Sequence, residues 1–324
     1  MEHDAVFERM AGRRKHRVIG IVAVAVGFGL AACSSGSSTT ATSAPAAVSS
    51  TTSGAAAVNV SAAVSTTAVS GTAVSATAVS TAAVSTAPDE VAWTYSGDAG
   101  PENWGSIAPG CDPGSTGSQS PIDIESAGLA PEAPASVGAV TINYLPTAFE
   151  VENTGRTIEA VPEDVHTNSI TIDGKNFYLL QFHLHNPSEH TVDNASFGME
   201  LHLVNKSDDG ALAVLGVLMN TGEENSPLTE LFSKMPTTKT DANSMVPLDE
   251  KIDPSELIPD GSKVARYSGS LTTPPCTEPV IWSVFLTPSS VSSEQLTTLG
   301  TIFPGNHRPT QPLNGRVVND VQYN

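Results

Sequence analysis

The chain has 324 residues, with 15 Lys and Arg against 34 Asp and Glu and a formal net charge of -19. That balance repels nucleic-acid phosphates and anionic headgroups, so neither nucleic acid nor a charged lipid surface is an expected partner. The first 32 residues carry a net of +2, which leaves -21 on the remainder.

The basic run Arg13-Arg14-Lys15-His16-Arg17 precedes an apolar stretch from Val18 to Ala32, shorter than a membrane span. It ends in Leu30-Ala31-Ala32-Cys33, which resembles the bacterial lipoprotein cleavage box, in which the cysteine is lipidated and becomes the new amino terminus. Residues 1–32 are therefore read as a lipoprotein signal peptide and Cys33 as the lipidation site. An ordinary secretory peptide or a short uncleaved anchor is the alternative. The export route, general or twin-arginine, stays open.

Residues 33–88 contain no charged side chain and repeat loosely around Ala-Val-Ser-Thr, as in Ala63-Val64-Ser65-Thr66 and Ala83-Val84-Ser85-Thr86. With nothing large to bury, such a segment cannot offset its ordering entropy and is expected to be a disordered stalk. The expected location is outside the cytoplasm, lipid-anchored to a bacterial membrane or envelope. The folded domain is residues 89–324, large enough for one core.

Within that domain, the β-prone runs are Val140–Tyr144, Phe149–Asn153, Ser169–Ile172, Phe177–His185, Met199–Asn205, Ala211–Met219 and Val280–Leu286. Helical patterns are confined to Ser226–Lys234 and Ser292–Leu299, each opening on a serine able to cap it. The expected fold is mainly β, a single domain on a large twisted, mostly antiparallel sheet with short peripheral helices.

His183-Leu184-His185 lies in a strand-like run, where a period of two puts both imidazoles on one face. His202 follows in Glu200-Leu201-His202-Leu203-Val204, and the turn-rich stretch between them is long enough to return that strand antiparallel. Three imidazoles with one open position make a catalytic zinc site rather than a closed structural one. Gln181 and Glu200 each precede a candidate ligand by two residues and share its face, as partners that orient ligand imidazoles do.

The surrounding motifs occur in order. They are Tyr95, Asn103-Trp104-Gly105, Gln119-Ser120-Pro121-Ile122-Asp123-Ile124, Ser188-Glu189-His190-Thr191-Val192, Leu212-Ala213-Val214-Leu215-Gly216, Tyr267 through Pro275, and Asn306 through Leu313. Together with the histidine motifs they resemble the alpha-class carbonic anhydrases over essentially the whole domain. The resemblance implies one zinc per chain on His183, His185 and His202, and zinc-dependent reversible hydration of carbon dioxide to bicarbonate and a proton. It also implies that Thr272 accepts a hydrogen bond from the hydroxide held by zinc, which orients it, and donates its own hydroxyl hydrogen bond to Glu189. Val204, Val214, Leu271, Thr273 and Trp282 match the substrate pocket, and His190 a buried structural histidine. The expected ligands are carbon dioxide and bicarbonate, the expected membrane contact is the lipid on Cys33, and no protein partner is indicated. A catalytically silent binding module of the same fold is the rival reading. It fits poorly, because silent relatives have lost zinc ligands.

One position departs from the family. In Asn153-Thr154-Gly155-Arg156, Arg156 stands where many relatives keep the histidine that ferries protons to solvent. An arginine keeps its proton at any working pH and cannot relay one. Glu159, near the expected rim, is the candidate substitute. With Cys33 committed to lipid, Cys111 and Cys276 remain as an even pair in an oxidising compartment. Several exported relatives pair cysteines at these positions; two separate buried thiols are the alternative.

Overall fold

The computed structural model describes residues 92–324 apart from 113, 115–116, 131–137 and 242–243. The signal peptide, Cys33 and the stalk expected from the sequence lie outside the described residues. In chain order the elements are α1 (Trp104–Ile107), β1 (Asp123–Ile124), β2 (Val140–Asn143), β3 (Phe149–Asn153), β4 (Ile158–Pro162), β5 (Ser169–Ile172), β6 (Lys175–His185), β7 (Thr191–Val192), β8 (Met199–Lys206) and β9 (Leu212–Thr221). They continue with α2 (Thr229–Lys234), β10 (Val246–Pro247), β11 (Val264–Gly269), β12 (Val280–Val291), α3 (Ser293–Ile302) and β13 (Asn319–Val321).

Among the described residues, one 11-stranded sheet runs β10-β3-β4-β6-β8-β9-β12-β11-β13, with β5 and β2 branching from β6. Its pairings are antiparallel except β9 with β12. The mainly antiparallel expectation therefore holds, and the seven strands read from the sequence are all present. Two substantial strands were not anticipated. β4 is buried along its whole length and reads Ile-Glu-Ala-Val-Pro, without alternation and with a proline. β11 reads Val-Ala-Arg-Tyr-Ser-Gly and buries Arg266, so its polarity conceals it.

α3 forms where a serine cap was expected. Ser292 Oγ accepts the Gln295 N–H at 3.1 Å, and Gln295 Oε1 accepts the Ser292 N–H at 3.0 Å, which closes a capping box.

The two faces of the sheet divide the apolar residues. Met199, Leu201 and Leu203 of β8 enter one core with Ala213, Leu215 and Val217 of β9, while Val204, Val214, Leu271 and Trp282 belong to a second cluster on the other face. β6 changes parity along its length. Phe177 and Leu179 enter the first core, and so do Phe182 and Leu184 beyond an irregularity in the ladder between Leu179 and Gln181. One inserted residue flips every side chain after it. Without it, the parity that buries Phe177 and Leu179 would turn Gln181, His183 and His185 into the apolar core.

A third cluster gathers Trp93, Trp104, Ala108, Cys111 and Cys276. Cys111 and Cys276 form a disulfide with Cα atoms 4.9 Å apart, as the resemblance implied.

Candidate metal centre

The register of the central strands builds the site. His183 pairs directly with His202 across β6 and β8, and His202 with Gly216 across β8 and β9. Direct partners in an antiparallel ladder share a face, so the imidazoles of His183, His185 and His202 converge. One ring nitrogen of each lies within 4.8 Å of the others.

Each ring has its other nitrogen committed. His183 Nδ1 lies 2.8 Å from Gln181 Oε1, His185 Nδ1 lies 2.6 Å from the Asn306 carbonyl, and His202 Nε2 lies 2.9 Å from Glu200 Oε1. All three partners are acceptors, so these nitrogens carry the protons. In the neutral imidazoles the lone pairs are then on His183 Nε2, His185 Nε2 and His202 Nδ1. Burial pushes His185 down to about 4 and lowers His202, which keeps both rings neutral at pH 7.

Glu200 is fully buried and accepts four hydrogen bonds. Oε2 takes the Glu189 and His190 N–H groups at 2.9 and 2.8 Å, and Oε1 takes His190 Nδ1 and His202 Nε2 at 2.7 and 2.9 Å. Burial alone would raise its pKa, but the imidazoles of His190 and His202 hold it well below the usual carboxylate range. Gly216 makes room for this carboxylate, since a Cβ there would stand 2.9 Å from Glu200 Oε1. His190 passes the network on. Its Nε2 takes the Tyr267 hydroxyl at 2.6 Å, and that oxygen lies 2.8 Å from Ser120 Oγ, which accepts the Ser270 N–H at 3.1 Å. The chain of bonds thus returns from a candidate ligand to the loop that carries Thr272.

Glu189 and Thr272 lie beside the trio and are both buried. Glu189 Oε2 is 3.5 Å from His185 Nε2 and 3.9 Å from His202 Nδ1. Oε1 accepts the Arg308 backbone N–H at 2.8 Å, and the Thr272 hydroxyl donates toward the carboxylate. Burial pushes Glu189 up to about 7, against the lowering effect of His202, Thr272 and Arg308.

The donor set fits one zinc ion. Three neutral nitrogens converge, each held from behind, and His185 Nε2 is buried with no hydrogen-bond partner, a cost that a metal would remove.

The residues expected to form the pocket fall in two places. Val204, Val214, Leu271 and Trp282 pack in the cluster on this face, with Trp282 4.8 Å from the His202 ring. Thr273 is half-buried, and its carbonyl takes the Cys276 N–H at 2.8 Å. Glu159 is not at a rim. It is buried and pairs directly with both Glu152 and His183. Arg156 lies in the turn after β3, with its guanidinium 4.1 Å above the Trp93 ring.

Sequence reasoning assigned no role to Asn306 or Arg308. Asn306 aims His185 through its carbonyl, while its side chain donates to the Leu184 and Arg156 carbonyls at 2.9 and 3.1 Å and accepts the Asn186 N–H at 2.8 Å. Arg308 is buried, held down to about 10 by desolvation, and donates to Gln119, Ser120 and Cys111 at 2.8 Å each. Their run, Asn306 through Leu313, was legible only as a motif.

Fold and site together define a class: a β-sheet enzyme with a three-histidine centre able to hold one metal beside a hydroxyl–carboxylate pair. Residues 99–322 match the family described as eukaryotic-type carbonic anhydrase. A carbonic anhydrase of Nostoc sp. is 38% identical over 231 residues, which are 70% of this chain and 85% of that protein. One of Klebsiella pneumoniae is 38% identical over 228 residues, covering 70% and 89% respectively. The solved alpha-carbonic anhydrase of Thermovibrio ammonificans, in complex with the inhibitor sulfanilamide, superposes with a TM-score of 0.66 at 40% identity, over 71% of this chain and 100% of that one. The chain belongs to the alpha carbonic anhydrase family and is an enzyme of that family.

Proposed function

We propose that the chain hydrates carbon dioxide reversibly to bicarbonate and a proton, with one zinc held by His183, His185 and His202. The observation that carries this reading is the convergence of three imidazoles whose outer nitrogens are fixed by Gln181, Asn306 and Glu200. Bound there, zinc supplies a Lewis acid that makes water a nucleophile near neutral pH, an effect for which carbonic anhydrases are the standard example. The Thr272 hydroxyl donates to Glu189, so toward the cleft its oxygen can only accept, which orients the attacking oxygen. The Arg308 N–H fixes the carboxylate that enforces this direction. Val204, Val214, Leu271 and Trp282 form an apolar wall suited to an uncharged substrate. The intact trio with Thr272 and Glu189 argues against a silent binding module. The purified chain should contain about one zinc and hydrate carbon dioxide in a stopped-flow assay, with inhibition by sulfanilamide. A zinc-loaded chain without hydration activity would overturn the reading.

The proton released in hydration must reach solvent, and Arg156 occupies the relay position. Hydration in dilute buffer should be slow and should rise severalfold as imidazole-type buffers accept the proton. Arg156→His should raise turnover in dilute buffer and leave kcat/KM for carbon dioxide nearly unchanged, because the attack step is untouched. A wild-type rate indifferent to buffer concentration would refute this.

The domain is further proposed to stand outside the cytoplasm on the 33–88 stalk, anchored by lipid on Cys33. Cys33→Ser should move the activity from membranes to the soluble fraction. Retention on membranes would assign anchoring to Val18–Ala32 instead.

A further inference from the structure

The turn Leu313-Asn314-Gly315-Arg316 holds the one Asn-Gly pair of the chain. Asn314 has φ +51° and Gly315 φ +76°, and the Arg316 N–H donates to the Leu313 carbonyl at 3.0 Å. Positive φ at both central residues is the mirror-image turn that Asn-Gly favours. Both are exposed, and a Cβ on Gly315 would have nothing within 4 Å. The Gly315 N–H has no hydrogen-bond partner among the described residues. The Asn314 side chain is tied by one long bond, from Nδ2 to the Gly117 carbonyl at 3.3 Å.

We infer that Asn314 is a site of spontaneous deamidation, and that its conversion loosens a clamp which Arg316 makes on β11. Hydroxide removes the proton of the unpaired Gly315 N–H, and the nitrogen attacks Asn314 Cγ. The new C–N bond closes a five-membered succinimide, and the side-chain nitrogen leaves as ammonia with a proton taken from water. Water then opens the ring at either carbonyl. One opening leaves an ordinary aspartyl side chain, while the other routes the backbone through the former side chain and lengthens it by one carbon. Nucleophile and electrophile belong to adjacent residues, so closure needs rotations only within residue 314. An exposed turn held by one backbone bond reaches that geometry by local opening. By contrast, Asn168 and Asn225, each before a serine, are buried. Asn168 Oδ1 takes the Leu145 N–H and its Nδ2 donates to Thr147 Oγ1, both at 2.7 Å, and Asn225 Nδ2 donates to the Ser290 carbonyl at 3.1 Å.

Arg316 spans the turn and ties it to the sheet. Its Nε donates to the Leu313 carbonyl and its Nη2 to the Pro312 carbonyl, both at 2.9 Å. Its Nη1 donates to the carbonyl of Ser268, near the end of β11, at 3.0 Å. Two of these acceptors precede residue 314 and the arginine follows it. A backbone carbon added between them misaligns the planar guanidinium, whose donors have a fixed geometry. The neighbour of Ser268, Tyr267, keeps its own contacts with His190 and Ser120, so the metal centre is left intact.

The test incubates the full chain with its metal in mildly alkaline buffer and follows its peptides by mass spectrometry. The peptide holding Asn314 should gain the mass of OH in place of NH2, faster as pH rises, and separate into two isomers. Those holding Asn168 and Asn225 should stay unchanged. Gly315→Ala should slow the gain severalfold, and Asn314→Gln should remove it. The converted chain should keep its zinc and melt about 2–4 °C lower, as for the loss of one hydrogen bond in a domain of this size. In Arg316→Gln, conversion should lower the Tm no further. An Asn314 that stays intact while the same segment converts as a free peptide, or a gain indifferent to Gly315→Ala, would overturn the site. An equal loss of Tm on conversion in Arg316→Gln would overturn the clamp.

Discussion

Alanine at His185 or His202 should reduce bound zinc from about one per chain to near zero after dialysis against micromolar free metal, and hydration with it. Loss of a residue that only orients a ligand already costs about 10–100-fold in metal affinity, so loss of a ligand should exceed about 100-fold. Both rings are buried and held neutral by desolvation, so no protonated imidazole has to be discharged before metal binds at pH 7. Removing His202 also takes from Glu200 one of its four donors and leaves a buried carboxylate less well satisfied. The measurement is metal content by atomic spectrometry beside stopped-flow hydration. Full occupancy in both variants would disprove the assignment of the centre.

Reduction of the disulfide, or its replacement in Cys111→Ser/Cys276→Ser, should produce the largest loss of stability. The two cysteines are 165 residues apart in sequence. Closing a loop that long removes about 5 kcal/mol of chain entropy from the unfolded state in the loop-entropy account. For a domain of this size that corresponds to a Tm lowered by about 10–20 °C. The effect should extend to the site. The Cys111 carbonyl takes Arg308 Nη2 at 2.8 Å while the Arg308 N–H holds Glu189, and Cys276 ends the turn that begins beyond Thr272. Thermal unfolding with and without reductant measures the first effect, and hydration at a temperature where both forms are folded measures the second. A Tm unchanged within two or three degrees would refute the stabilising role.

Much of the site was legible because strand chemistry repeats with a short period. His183, His185, Gln181, Glu200 and His202 could be placed on common faces from spacing alone, since an uninterrupted period of two puts alternate residues on one face. Thr272, Glu189 and the pairing of Cys111 with Cys276 came from the family resemblance, not from spacing. Glu159 was misjudged as a rim residue, because nothing in Thr157-Ile158-Glu159-Ala160 reveals that β4 lies between two other strands and is buried along its whole length. Arg308 and Asn306 were recognisable as parts of a motif, but their partners lie more than a hundred residues away, as with Cys111 and His185.

By itself the sequence determined the class of chain: a charge-free Ser/Thr/Ala/Val segment before an acidic, strand-rich domain, with three strand-borne histidines. Composition and local periodicity act over a few residues, and that is where those properties reside. The tertiary structure alone decided which face each histidine takes. In β6 the inserted residue between Leu179 and Gln181 reverses the parity, and only the packing of Phe177, Leu179, Phe182 and Leu184 into one core requires that insertion. It also decided which nitrogen of each imidazole faces the centre. That choice depends on Asn306 reaching His185 from 121 residues away and on Gly216 leaving room for Glu200, and side chains so distant in sequence meet only when the sheet closes.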